Sequence, residues 1–229
     1  LYAANWLGDD LSVVNLDSGA ESERIAAGNN PTAAALSPDG GRLMVANEQS
    51  RYFRHPRPPQ SEVTEIDPRR GRVTARYAFP NAHLLSGIAF APEGDLVLVP
   101  LVRPRNLLPA VQVVQGWMMT NGLGILDLTT GMVTQLPLDD PGDFYADPSD
   151  VAVSPDGRQA FVSHGGVDRI TVIDLPAVRR LVRESSEAER ARLADDLRAA
   201  RRFGVGRLST GANPRGLAPS PDGRFLFGA

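Results

Sequence analysis

The sequence predicts an all-β fold, a β-propeller of four-stranded antiparallel blades, and the first observation behind this prediction is a recurring turn. The tetrapeptide Ser-Pro-Asp-Gly occurs three times and Ala-Pro-Glu-Gly once. Each copy joins two short apolar runs, where Pro sets φ and Gly accepts the positive φ of a tight hairpin turn. Recurrence of such a turn is typical of a propeller. The copies are Ser37–Gly40, Ala91–Gly94, Ser154–Gly157 and Ser220–Gly223.

The second observation is the pair of apolar runs that flanks each turn. The run before the turn is a first strand, such as Asp150–Val153, and the run after it is a second strand. In three copies an Asn-Pro or Asp-Pro pair precedes the first strand, with its proline at Pro31, Pro148 or Pro214. Second strands are predicted at Leu1–Asn5, Leu43–Asn47, Leu96–Pro100, Ala160–His164 and Phe225–Ala229.

The third observation is a further apolar strand in each repeat that closes with aspartate. Aspartate at this point suits an Asx-type turn into a fourth strand, which completes a four-stranded blade. These third strands are Ser12–Asp17, Glu62–Asp67, Leu123–Asp127 and Ile170–Asp174. The phase of the apolar runs predicts that Val151, Val153, Phe161, Val172 and Ile173 are mostly buried between blades.

This order of motifs resembles the YVTN-type β-propeller repeat, in which Asn-Pro, Ser-Pro-Asp-Gly, an Asn-ending strand and a Val-Ile-Asp strand follow one another. The resemblance covers nearly the whole chain. It implies a seven-bladed ring of the broad class that includes quinoprotein amine dehydrogenase β-chains and cytochrome-cd1-like and lactonase-like propellers. Many of these proteins are exported, so the resemblance implies a periplasmic or extracellular location, but it implies no single reaction.

Residues 1–229 are predicted to form one propeller domain that is incomplete at both ends. The sequence begins at Leu1 and stops at Ala229 inside predicted second strands, so the same element is supplied twice. We therefore expect about four to five blades of a larger ring, because propellers reach roughly eight blades of about 40 to 45 residues. An open ring would leave unpaired strand edges, which folded proteins avoid.

Composition excludes several classes of function. The net charge is −3 with no basic stripe, and no apolar stretch approaches a membrane span, so neither nucleic acid nor a membrane span is expected. All 24 basic residues are arginine, and the 229 residues contain no cysteine. These absences exclude Schiff-base lysines, thiol nucleophiles, disulfides and a covalently attached c-type haem within this segment. We therefore predict no cofactor in the segment.

Two long insertions between second and third strands predict a binding face on one rim. They run from Glu48 to Gln60 and from Leu101 to Asn121, and by propeller topology they share this rim with the connections between blades. Cations, imidazoles and aromatic rings collect there, as they do on recognition surfaces. The candidate binding residues are Arg51, Arg54, His55, His83, Arg103, Arg105, Trp117 and His164.

Among the histidines, His164 replaces the asparagine that ends the second strand elsewhere. A hydrogen-bonded structural imidazole is favoured there over a ring that faces the central channel. His83 lies in the repeat that lacks the Asn-Pro pair, so the connection around it is expected to be built differently.

Two groups of residues offer metal ligands, yet neither has the spacing of a metal site. His55, His83 and His164 come from three different loops. The aspartates of the acidic connection at residues 139–150 suit turn caps better than a calcium loop. We predict no metal site and no catalytic residue. These aspartates are Asp139, Asp140, Asp143, Asp147 and Asp150.

A third insertion, at about residues 176–202, is predicted to be helical and to lie on the opposite rim. Pro176 suits a first helical position, and Ser186 with Glu189 forms a capping box. Leu193 and Leu197 mark its apolar face. A solvated brace across the base of the blade is favoured over a partner-docking helix.

Three classes of function follow. The favoured one is a non-catalytic exported propeller that docks another protein, with a c-type cytochrome or other redox protein as the partner that the resemblance implies. One alternative is a lactonase-like or other hydrolase that uses histidine and arginine at the channel mouth. The other is the propeller part of a haem- or quinone-containing oxidoreductase. Whether the protein is an enzyme stays open, with the non-catalytic interpretation preferred.

Overall fold

The computed structural model describes residues 1–50, 57–104 and 118–229, whose strands form five antiparallel sheets. Three sheets have four strands in the order first to fourth, which confirms the predicted all-β blades. We number the sheets as blades 1 to 5. Blade 1 comprises β1 (Tyr2–Asn5), β2 (Asp10–Val14) and β3 (Glu21–Ala26); blade 2 comprises β4 (Pro31–Leu36), β5 (Leu43–Asn47), β6 (Gln60–Asp67) and β7 (Arg72–Pro80). Blade 3 comprises β8 (Ala89–Phe90), β9 (Leu96–Pro104), β10 (Met119–Asp127) and β11 (Met132–Pro137); blade 4 comprises β12 (Pro148–Val153), β13 (Gln159–His164), β14 (Arg169–Asp174) and β15 (Gly204–Ser209); blade 5 comprises β16 (Leu217–Pro219) and β17 (Leu226–Gly228).

The Ser-Pro-Asp-Gly turns join first to second strands, as predicted. In the turn between β4 and β5, the Ser37 hydroxyl donates to the Asp39 carboxylate at 2.6 Å, and Gly40 has a φ of 69°. Asp39 also accepts from the Gly41 amide, and these hydrogen bonds lower the pKa of its carboxyl. The aspartate is therefore a turn former here.

The apolar core lies between adjacent blades. Val151, Val172 and Ile173 are buried, whereas Val153 and Phe161 are half-buried. The largest cluster joins blades 3 and 4. Burial of these faces against one another is the main stabilising term of such a fold.

The connections between blades share one backbone conformation. In each of the four connections, the residue that precedes Pro31, Pro148, Pro214 or, in the repeat without the proline, Leu85 has a left-handed backbone conformation. Leu84 takes this conformation with a φ of 52°, although the sequence predicts a different construction there. The predicted difference lies in the hydrogen bonds instead: here the Val102 amide donates to the His83 carbonyl, whereas the matching amides of Glu48 and Gly165 donate to the carbonyls of Asn30 and Asp147. The Thr32 hydroxyl donates to the Leu85 carbonyl at 2.8 Å and helps to hold this backbone. The other three residues are Asn30, Asp147 and Asn213, with φ of 54°, 56° and 55°.

The third insertion is helical, as predicted, and comprises α1 (Leu175–Glu184), α2 (Glu187–Leu193) and a 3-10 helix (Leu197–Arg202). The Asp174 carboxylate caps α1 by accepting from the Ala177 amide at 2.9 Å. Ser186 and Glu189 form the predicted capping box of α2. In the described part of the chain, no helix is long and apolar enough to cross a membrane.

The insertion is more than a solvated brace. Helix α1 contacts β13 and β14, whereas α2 and the 3-10 helix contact β11, the outer strand of blade 3. Its apolar face joins the core of blades 3 and 4. The insertion therefore fills space between two blades. Its buried residues are Leu175, Val178, Leu181, Val182, Leu193, Leu197, Ala199 and Ala200.

Candidate functional site

The predicted binding face lies on the rim where second strands pass to third strands and where one blade passes to the next. Blades 1 and 4 have short connections there, whereas blades 2 and 3 carry the two long insertions. Five of the predicted site residues lie outside the described residues, so their placement stays a prediction. These five are Arg51, Arg54, His55, Arg105 and Trp117.

His164 lies fully buried at the end of β13, where it links two elements. Nδ1–H donates to the Tyr145 carbonyl at 2.8 Å, so Nε2 accepts from the Thr171 hydroxyl at 2.8 Å. Burial lowers the pKa of His164 to about 4, and the charge of Arg207 adds to this effect. The ring is neutral at pH 7, and in this conformation neither nitrogen reaches solvent.

Asn47 makes the corresponding contacts in blade 2. It begins a chain of hydrogen bonds through Thr64 and Arg76 to the Ala27 carbonyl, which we call a cross-blade row. Its Nδ2 donates to the Thr64 hydroxyl at 3.0 Å, and its Oδ1 accepts from the Gly28 amide at 2.9 Å. Arg76, which pairs with Thr64 across β6 and β7, donates to the Ala27 carbonyl at 2.6 Å. The row thus runs across blade 2 and ends on the Ala27 carbonyl, which directly follows the outer strand of blade 1.

The same row recurs in blade 4. Arg207 pairs with Thr171 across β14 and β15, and it donates to the Leu138 carbonyl at 3.1 Å. Its guanidinium also lies 4.2 Å from the centre of the Tyr145 ring, a cation–π contact. Sequence reasoning missed these rows. The available signal was the repeated spacing of Thr64 with Arg76 and of Ser12 with Arg24.

Blade 3 departs from this arrangement. Leu101 and Gly124 occupy the positions of Asn47 and Thr64, and the Phe79 ring fills the space beside Gly124. Gln135 stands where blades 2 and 4 have arginine, and its Nε2 donates to the Pro80 carbonyl at 2.8 Å. The contact with the preceding blade is therefore kept, while the rest of the row is apolar.

Arg103, a predicted member of the exposed cluster, is buried, with 8% of the residue accessible. It donates to the Gln135 side chain and lies 3.5 Å from the Asp195 carboxylate of the helical insertion. Arg103 therefore ties β9 to the outer strand and to the insertion, and it does not extend from the rim as the sequence predicts.

His83 lies half-buried in the connection between β7 and β8. Its backbone exchanges two hydrogen bonds with Val102 of β9, at 2.8 and 2.9 Å. Its Nδ1 accepts from the Ser50 amide at 3.3 Å, and burial lowers the pKa of the ring against the opposing effect of Glu48. The structure thus joins His83 to the start of one long insertion and to a strand of the other.

The aspartates between blades 3 and 4 do not converge on one point. Asp139 is buried and accepts from the Tyr145 and Asn121 amides at 2.7 and 2.8 Å, and burial raises its pKa. Asp150 accepts from the Leu217 amide at 2.8 Å. Within the described residues, no group of three or more histidine, aspartate or glutamate side chains is arranged to hold a metal ion.

These features define a class: a β-propeller domain whose blades are locked by polar rows and whose rim carries long insertions in two adjacent blades. The chain is 30% identical over 200 residues to hydrazine synthase subunit beta of Kuenenia stuttgartiensis. The similar region covers 87% of this chain and 50% of that subunit, so the chain spans about half the length of this relative. No family model matches the chain, so the YVTN-type assignment stays a prediction.

Solved structures agree with this similarity. A chain of Kuenenia stuttgartiensis hydrazine synthase superposes with a TM-score of 0.80 at 26% identity, covering 100% of this chain and 76% of that chain. A protein of unknown function from Desulfotomaculum acetoxidans gives a TM-score of 0.58 at 13% identity, covering 100% of this chain and 58% of that chain. The second likeness concerns the fold alone.

The prediction of a non-catalytic docking module is wrong. The relative is a subunit of an enzyme, and the similarity extends along most of this chain. The alternative in which the propeller is part of an oxidoreductase agrees better with this finding.

Proposed function

We propose that this chain is the propeller portion of a subunit in a multi-subunit, hydrazine-forming oxidoreductase. The main support for this proposal is that all of the chain superposes on a chain of hydrazine synthase with a TM-score of 0.80. Similarity at 26% identity along the same length supports a shared role beyond a shared fold.

In this proposal the chain positions other parts of the enzyme. The cross-blade rows stabilise a rigid platform, because most of their buried polar groups hydrogen-bond within the row or to the preceding blade. Arg207 Nε is the exception among the described row atoms. The chain has no cysteine for the thioether bonds of a c-type haem, so we assign any such haem to other segments or subunits. Partners are then proteins of the same assembly, and the periplasmic or extracellular location implied by the family resemblance remains a prediction.

The hydrolase alternative has less support. A hydrolase that uses histidine as a general base needs a group that orients the ring, commonly a carboxylate. Neither His83 nor His164 hydrogen-bonds to a carboxylate in the described part of the chain.

The test is isolation of the full-length protein from its native organism with an affinity tag, under non-denaturing conditions. We expect other subunits to co-purify in a fixed ratio. We also expect the preparation to form hydrazine from smaller nitrogen compounds, measured by condensation with an aromatic aldehyde. An untagged strain is the control. Recovery of a lone protein without this activity would overturn the proposal.

A further inference from the structure

Two exposed apolar side chains stand at the tip of the short connection in blade 1. Trp6 is 41% and Leu7 is 86% exposed. The Asn30 side chain donates to the Trp6 carbonyl at 3.0 Å, and the indole N–H donates to the Glu48 carboxylate. Trp6 is therefore held in a fixed orientation although it faces solvent, as aromatic anchors of protein interfaces commonly are.

His83 contributes an oriented hydrogen-bond donor beside this tip. Because Nδ1 accepts from the Ser50 amide, the proton of the neutral ring resides on Nε2. Nε2–H has no hydrogen-bond partner among the described residues. Glu48, which holds the Trp6 indole, also interacts electrostatically with the His83 ring. Trp6, Glu48 and His83 thus belong to one neighbourhood on the elaborated rim.

The backbone next to His83 carries strain. Leu84 has a φ of 52°, where the corresponding residues of the other connections are asparagine or aspartate. A bulky residue in the left-handed region is uncommon, and such outliers cluster at functional sites. This feature is independent of the side-chain contacts of Trp6 and His83.

The charges of the described residues at this surface restrict what it binds. A neutral ring gives no attraction for an anion, and the nearby Glu48 carboxylate repels one. A carbonyl oxygen satisfies Nε2–H without a charge, and an apolar side chain next to it would cover the indole and Leu7. A protein loop carries both groups together.

We propose that Trp6, Leu7 and His83 form a docking surface for a neutral loop of another subunit, with a loop carbonyl accepting from His83 Nε2–H. This inference rests on the proposed function, because the partner is a subunit of the same assembly.

The experiment measures the dissociation constant between the full-length protein and the subunits separated from its purified assembly, at fixed salt. Trp6→Ala and Leu7→Ser remove the apolar contacts. Leu16→Ser is the matched control, because Leu16 is 76% exposed in the same blade but lies on the opposite rim. We expect about tenfold weaker binding for Trp6→Ala, several-fold weaker binding for Leu7→Ser, and no change for Leu16→Ser.

Two variants of His83 separate docking from internal support. In His83→Asn the side-chain oxygen still accepts from the Ser50 amide, but the distal donor is lost. In His83→Gln the distal donor is kept. Several-fold weaker binding of His83→Asn, with near-native binding of His83→Gln, supports the proposal.

Three outcomes overturn the proposal. Native binding by both Trp6→Ala and Leu7→Ser means that the surface is not the interface. Native binding by His83→Asn with weakened binding by His83→Gln means that His83 only supports the loop through Nδ1. If the unaltered protein binds none of the subunits, the proposed function itself fails, and this inference fails with it.

Discussion

Blade 3 and its two neighbours solve the same packing problem with different chemistry. In blades 2 and 4 a polar row crosses the sheet, from Asn47 or His164 to an arginine that reaches the preceding blade. In blade 3 the middle of the row is Leu101 and Gly124, with Phe79 of blade 2 packed into the space. All three blades share only the contact in which a side chain of the outer strand, Arg76, Gln135 or Arg207, donates to a backbone carbonyl of the preceding blade.

The difference shows which part of the row blades 2, 3 and 4 share. A buried polar group costs free energy unless its partners are all present, so a row can be lost only as a whole or be replaced by apolar groups that fit. Blade 3 replaces it with apolar groups, and Arg103 and the helical insertion add new ties to its outer strand. The rigid contact between blades is thus kept while the rim is free to carry long insertions.

The largest expected effect concerns the helical insertion that covers the outer strand of blade 3. Leu193→Ala removes a side chain that is only 6% exposed and leaves a cavity against the core. We expect a loss of about 2 to 5 kcal/mol in the free energy of unfolding, measured by denaturant titration of the full-length protein. Val205→Ala, at a 61% exposed position on β15, is the control. A loss below about 0.5 kcal/mol would restore the interpretation of the insertion as a solvated brace.

The second effect is a pH dependence in blade 4, where a histidine stands at the row position that asparagine occupies in blade 2. Burial lowers the pKa of His164 to about 4, against about 6.5 in the unfolded chain, so the unfolded state binds the proton more tightly. Stability is therefore lost as pH falls from about 6.5 towards 4, by up to roughly 3 kcal/mol.

His164→Asn isolates this effect, because asparagine occupies the same position in blade 2. Asp139 and Asp150 have raised pKa values, so their protonation favours the fold at low pH and opposes the histidine effect. Both proteins contain Asp139 and Asp150, so the effect of these two carboxyls cancels when the stability curve of the variant is subtracted from that of the native protein. Parallel curves between pH 6.5 and pH 4 would mean that the His164 ring is not titrated by unfolding.

The third effect tests the apolar replacement in blade 3. A Cβ added at Gly124 would lie 2.4 Å from the Phe79 ring, whereas a Cβ at Gly206 in β15 meets nothing within 4 Å. We expect Gly124→Ala to cost about 1 to 3 kcal/mol by overpacking, and Gly206→Ala to be close to neutral. Thermal unfolding of both variants measures this. A partial recovery in Gly124→Ala with Phe79→Leu would assign the cost to the ring, whereas equal stability of the two single variants would contradict it.

The smallest effect tests whether the contact with the preceding blade can be made by either side chain. Gln135 makes in blade 3 the contact that Arg76 makes in blade 2. Arg76→Gln should therefore cost less than Arg76→Ala, by about 1 kcal/mol. The comparison needs only the two melting curves. Equal destabilisation by the two substitutions would mean that the contact with Ala27 contributes little and that other contacts of Arg76, such as its ion pair with Glu62 within blade 2, account for the loss.

The sequence alone determined the elements that depend on interactions between residues close together in the chain. The turn at Ser37–Gly40 closes through contacts within four residues, and the capping box of α2 spans Ser186 to Glu189. Alternating apolar positions then define strands and their order within a blade. Propensity and pattern act over such short distances, so the four-stranded blades and the helical insertion could be predicted.

Tertiary structure alone decided which polar side chains are buried and which distant groups they contact. Arg103 occurs in an arginine-rich segment that reads as exposed, yet its partners, Gln135 and Asp195, are 32 and 92 residues away. Leu84 takes a left-handed conformation that its type disfavours, because Thr32 and neighbouring strands hold the connection. The cross-blade rows likewise end on carbonyls of another blade. Such contacts depend on the packing of whole blades, and no local pattern of residue types specifies which distant group will be the partner.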